Sequence, residues 1–133
     1  DGNWLAYQSD QSGRYEIYVQ SFPDVERVKV LVSTGGGANP TWARSGEELY
    51  YIESGRMMAV PVQTGTTFDH STPEPLFRTD DYYLPTRGTS YDVAPDQRFL
   101  MIKTGGPEGS ATLPQIDIVL NWRTELSERV PVN

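Results

Sequence analysis

Hydrophobic residues come in short bursts along the chain, each closed off by glycine, proline, aspartate or serine. Three bursts share one form, a tight polar turn running straight into an apolar strand. They are Asp1-Gly2-Asn3-Trp4-Leu5-Ala6-Tyr7, Ser45-Gly46-Glu47-Glu48-Leu49-Tyr50-Tyr51 and Asp96-Gln97-Arg98-Phe99-Leu100-Met101-Ile102. Aligned on their leucines, the first two are 44 residues apart and the last two 51. A period near 40–50 residues belongs to four-stranded units repeated side by side, as in β-propellers.

Other bursts complete the units. Segments 38–43 and 91–94 each lead into a turn, with Trp42 and Val93 in register ahead of Ser45 and Asp96. Further strands are predicted over 16–22, 57–62 and 116–122, and then over 28–34 and 75–78. All are rich in valine, isoleucine, tyrosine and phenylalanine. No long stretch has a helical period, and the one helix candidate, 123–129, is short and polar. The units fall at about 1–36, 37–80 and 87–133. The first lacks an opening strand, and the last lacks a clear fourth strand unless Arg129-Val130-Pro131-Val132 supplies it.

The expectation is therefore an all-β chain, a propeller segment of about three four-stranded sheets with the first and last incomplete. Closed propellers have more, typically 4–8. An arc of three leaves two end faces and a row of backbone groups uncovered. Either two copies join into a six-sheet ring, or the missing sheets belong to a longer chain from which this one is cut. A compact β sandwich is the alternative fold.

Composition narrows the chemistry. At 133 residues this is one domain, and 12 glycines with 10 prolines fit a turn-rich β fold. The absence of cysteine excludes disulfides and thiolate metal sites, and a single histidine excludes a histidine-rich one. Neither metal nor cofactor is expected. A net charge of −7 argues against nucleic acid as partner. No apolar run is long enough for a membrane-spanning helix, so no membrane insertion is expected.

Candidate chemistry is sparse. Asp69-His70-Ser71 holds three triad residue types, but neighbours on one turn cannot converge as a triad does, and a polar loop is expected there. Gly88-Thr89-Ser90-Tyr91-Asp92 lacks the second glycine of a nucleophile elbow and reads as a strand entry. Gly35-Gly36-Gly37 is followed by Pro40 and a strand, not by the lysine-bearing helix of a phosphate loop. Asp80-Asp81, with Asp69 and Glu74, has no calcium-loop spacing. Tyr82-Tyr83 beside Asp80-Asp81 is a candidate recognition surface for a carbohydrate, peptide or basic partner; otherwise it covers a sheet edge or an oligomer contact.

Several of these segments resemble a known repeat. The stretch from Thr34-Gly35-Gly36-Gly37 through Trp42-Ala43-Arg44-Ser45-Gly46 to Leu49-Tyr50-Tyr51 is similar to the glycine-rich entry and strand-turn of the TolB-like WD40-like (PD40) propeller repeat. Gly55-Arg56-Met57-Met58-Ala59-Val60-Pro61-Val62 and Pro73-Glu74-Pro75-Leu76-Phe77-Arg78 resemble its third and fourth strands. Tyr91-Asp92-Val93-Ala94-Pro95-Asp96 matches the next repeat. Ile116-Asp117-Ile118-Val119-Leu120-Asn121-Trp122 resembles the last blade of such propellers attached to bacterial serine/threonine kinases. Ser45 and Gln97 depart from the usual Asp-Gly turn.

The resemblance implies a non-enzymatic binding or scaffold module, periplasmic or otherwise outside the cytoplasm, recognising a protein or small ligand. The alternative is the non-catalytic propeller part of a larger peptidase, glycan-active enzyme or receptor-type kinase. In such rings the opening strands line the channel. Asn39 then aligns with Ser90 and Thr41 with Asp92, so the candidate ligand-binding residues are Asn39, Thr41, Ser90 and Asp92, joined by Arg87. No catalytic residue is assigned, because no acid–base pair converges in the sequence.

Overall fold

The structure is a computed structural model that describes residues 2–85, 88–104 and the strand Ile116–Val119. These residues form eleven strands and no helix. Three antiparallel sheets follow one another along the chain, and none closes on itself. The first holds β1 (Trp4–Ser9), β2 (Glu16–Ser21) and β3 (Lys29–Leu31). The central one holds β4 (Ala38–Trp42), β5 (Glu48–Glu53), β6 (Arg56–Thr64), β7 (Phe68–His70) and β8 (Glu74–Arg78). The third is β9 (Tyr91–Val93), β10 (Phe99–Ile102) and β11 (Ile116–Val119).

The sheets are layered because alternate residues of a strand point to opposite faces. From β5, Leu49 and Tyr51 enter a core shared with Ile17, Val19 and Val32 of the first sheet's segment. Tyr50 and Ile52 enter a second core with Tyr91, Val93, Phe99 and Met101 of the third sheet. Strand β6 divides in the same way, with Met58, Val60 and Val62 on one side and Met57 and Ala59 on the other. Apolar burial on both faces explains why 48–52 is buried without a break.

Two features depart from the strand expectations. Strand β6 runs nine residues, to Thr64, and turns back into β7. The polar loop expected at Asp69-His70-Ser71 is in part this added strand, which carries Phe68 into the first core. The second departure lies in the third turn. In the central sheet the Ala43 N–H donates to the Glu48 carbonyl, whereas in the third the Ala94 N–H reaches Arg98. That hairpin is one residue shorter. Trp42 faces Leu49 and Val93 faces Phe99, so Phe99, and not Leu100, is the counterpart of Leu49. The leucine alignment of the last repeat is corrected by one residue. The helix candidate 123–129, Arg129–Val132 and Arg87 lie outside the described residues.

One buried carboxylate ties the first sheet to the crossing into the central one. Glu16 is 3 % exposed. It accepts hydrogen bonds from the Ser33 hydroxyl, the Arg14 guanidinium and, at 3.2 Å, the Gly36 N–H. Burial works to raise its pKa, but these donors together outweigh burial and hold the carboxyl below its ordinary value. A depressed folded pKa stabilises the fold above the unfolded-state value and is lost as pH falls through the folded one. Glu16→Gln is therefore expected to cost about 2 kcal/mol near neutral pH, the scale of hydrogen bonds to a charged group. Urea denaturation at neutral and acid pH checks this: the gap between the two proteins should shrink as the wild-type carboxyl protonates.

Candidate functional site

A hollow lies where β1, β4 and the segment ahead of β9 come together. It measures about 300 Å³ and is bounded by Tyr7 and Gln8 of β1, Asn39 and Pro40 of β4, and Gly88 and Thr89 ahead of β9. The frame already uses its polar groups. Asn39 is buried at a positive φ of 55°, a conformation asparagine tolerates better than most residues. Its N–H donates to Gln8 Oε1 at 2.7 Å, its side-chain amide donates to the Pro85 carbonyl at 3.5 Å, and its carbonyl accepts the Tyr91 hydroxyl at 2.7 Å. Burial pushes up the pKa of the Tyr91 hydroxyl, and Thr41 lowers it by less. The Ser90 hydroxyl donates to the Tyr83 carbonyl.

Asp92 goes elsewhere. Paired with Leu100, it stands exposed on the face of the third sheet turned away from the central one, with an Arg44 nitrogen 3.8 Å from its carboxylate. Among the described candidates, then, Asn39, Thr41 and Ser90 gather near the hollow, and Asp92 does not. The two tyrosines also part. Tyr82 bridges to Lys103 and packs against the second core, while the Tyr83 N–H donates to the Ile102 carbonyl at 2.7 Å. Tyr82 thus extends the pairing just past the end of β10, and Tyr83 is half exposed.

A more open chemistry lies along the seam between the first and central sheets. A cavity of about 420 Å³ is walled by Trp4, Phe22, Pro23, Asp24, Arg27 and Thr66. A second, of about 270 Å³, is walled by Trp4, Trp42, Arg44, Ser45 and Thr64. Trp4 belongs to both. Phe68 from β7 wedges between the two tryptophans, 5.4 Å from the Trp4 ring centre and 6.4 Å from that of Trp42. Arg27 closes the seam by donating to the Thr66 carbonyl at 2.7 Å.

The buried Trp4 indole N–H has no hydrogen-bond acceptor among the described residues. A buried donor left unpaired costs on the order of 1–3 kcal/mol, so its acceptor is the first thing to look for. Sequence reasoning placed Trp4 only as a strand residue. Its partners Phe22 and Arg27 come from the loop between β2 and β3, and Phe68 from a strand that no repeat pattern announces, so no local spacing joins them to Trp4.

Among the described residues, no three histidine, aspartate or glutamate side chains gather to hold a metal ion. No helix among them is long and apolar enough to cross a membrane. The Asp80 carboxyl, expected in an acidic loop, is held below its ordinary pKa by the Arg78 guanidinium, which donates to it at 2.7 Å. No protein-family model matches the chain, and no curated protein does.

Proposed function

We propose that the chain is a non-catalytic recognition module of propeller type, with its three sheets as blades, and that the Trp4 seam receives the ligand. The observation that carries this reading is the Trp4 indole, which lines both cavities and whose buried N–H has no acceptor among the described residues. Aromatic surface from Trp4 and Phe22 and the charged group of Arg27 lie in the same place. Stacking surface, a lone donor and a guanidinium suit a ring-bearing ligand that carries an acceptor oxygen or a carboxylate, such as an acidic sugar or an acidic peptide. The layered antiparallel sheets and the residue spacing of the repeated turns support the propeller reading. The resemblance to PD40 repeats supports a site of action outside the cytoplasm.

The experiment is a titration followed by indole fluorescence, with oligogalacturonate and a short glutamate-rich peptide as probes. Saturable quenching by one of them is expected; Trp4→Phe, which lacks the reporting indole, is followed by calorimetry and should bind about tenfold more weakly, since it keeps a ring but removes one hydrogen bond. Arg27→Ala should weaken it again. If neither probe perturbs the fluorescence, or if Trp4→Phe binds as tightly as wild type, the seam is not the binding site.

A further inference from the structure

The two outer faces of the layered sheets are unlike each other, and each has the chemistry of a face that the molecule already buries. On the first sheet, Leu5, Tyr7, Tyr18 and Leu31 share the side turned away from the central sheet, because Tyr7 pairs with Tyr18 and Tyr18 with Leu31. Leu5 is 47 % exposed and Leu31 48 %. Leu5 and Tyr7 stand 44 residues before Leu49 and Tyr51, which point the same way from the central sheet and are wholly buried against the first.

On the third sheet, Leu100 and Ile102 face outward, 46 % and 44 % exposed. With the one-residue shift, they occupy the positions of Tyr50 and Ile52, which the third sheet covers. Charge distinguishes the two faces further. Lys29 lies on the first face, its ammonium 4.7 Å from the centre of the Tyr18 ring. Asp92 lies on the last face, beside Leu100. The first face carries an exposed cation, and the last carries the Asp92 carboxylate, largely exposed although Arg44 stands 3.8 Å from it, so the two apolar faces suit each other better than their own copies.

We propose that the third sheet of one copy docks on the first sheet of a second copy, with Asp92 near Lys29, repeating between chains the layering found within one. Two such contacts about a two-fold axis close a pair of six sheets. This inference is independent of the ligand reading at the Trp4 seam, and its test does not involve that seam.

The test is solution mass by light scattering on wild type, Leu5→Glu, Leu100→Glu and an equimolar mixture of the two variants. Wild type is expected near twice 14.9 kDa. Each variant alone should fall to a single-chain mass, because each has lost one of the two unlike faces. The mixture should regain the pair, because the intact third sheet of Leu5→Glu meets the intact first sheet of Leu100→Glu. A variant that stays paired by itself means that like faces meet, and this overturns the proposal. So does a wild type that remains single at every concentration, or one that grows into open polymers.

Circular dichroism should find both variants folded, since both leucines are about half exposed. Should either unfold, the charge pair repeats the test. Lys29→Glu and Asp92→Lys should each weaken pairing about tenfold, and both together in one chain should restore it. Failure of the double variant to recover overturns the contact.

Discussion

Phe99→Ala is expected to be the most damaging single truncation in the third sheet, at a cost of about 4 kcal/mol. Phe99 is wholly buried, and three aromatic rings meet it: Tyr50 at 4.9 Å, Phe77 at 5.3 Å and Tyr91 at 6.3 Å between centres. Those rings come from β5, β8 and β9, so the cavity left by alanine has walls on two sheets and cannot collapse by moving one strand. Edge-to-face pairs also contribute beyond their area. Stability of this order is a large share of what a domain of this size has. The measurement is urea denaturation of the variant against Leu100→Ala. Leu100 is one residue along the same strand, points outward, and in chains diluted to the single-chain state should cost under about 1 kcal/mol. Equal losses would mean that the register of the third sheet is not the one described.

The second large effect is expected at Gly37. A side chain there would put its first carbon 2.6 Å from Ile17 Cγ1 and 3.1 Å from the Tyr51 ring. Both neighbours are fully buried, one on each sheet, and neither can give way. Gly37→Ala should therefore wedge the first sheet off the central one and cost about 3 kcal/mol, at the upper end of overpacking. Gly35 is the control. A carbon added there meets only the carboxylate end of Glu53, which can move at the expense of its hydrogen bond from the Tyr51 hydroxyl, so Gly35→Ala should cost about 1 kcal/mol. Thermal melts of the two variants side by side decide the matter: a common loss would point to the backbone freedom of the glycine run instead of the close approach.

That glycine run illustrates how much of the molecule could be read from the sequence. Pro40 and the strand after the glycine run excluded a phosphate loop, and the run forms the crossing from β3 to β4. Which glycine is indispensable depends on Ile17 and Tyr51 meeting across two sheets, which no local pattern records. The repeat itself was legible because turn chemistry and β-branched runs are local. Its third copy was misaligned for an instructive reason. Leucine identity suggested equivalence of Leu49 and Leu100, but the Ala94–Arg98 hairpin is one residue shorter, and a slip of one residue exchanges the two faces of a strand. Thr41 and Asp92 kept their correspondence because both precede the turn. Of the expected channel residues, Asn39 borders the hollow and Asp92 stands apart, and the polar groups of Asn39 and Ser90 are taken up by Gln8, Tyr91 and backbone carbonyls. The Trp4 seam stayed hidden because it is assembled from several loops and from β7, whose only sequence signal is the turn at Gly65.

Strand β5 has a consequence for how the molecule opens. Its side chains feed both cores in alternation, and it is hydrogen-bonded to β4 on one edge and β6 on the other. No fluctuation that releases only one outer sheet uncovers it from both sides. Amide protons along 49–52 can then reach solvent only when the whole assembly comes apart, so their exchange measures the global stability of the chain. Protons of the outer sheets, by contrast, report how readily each layer peels away.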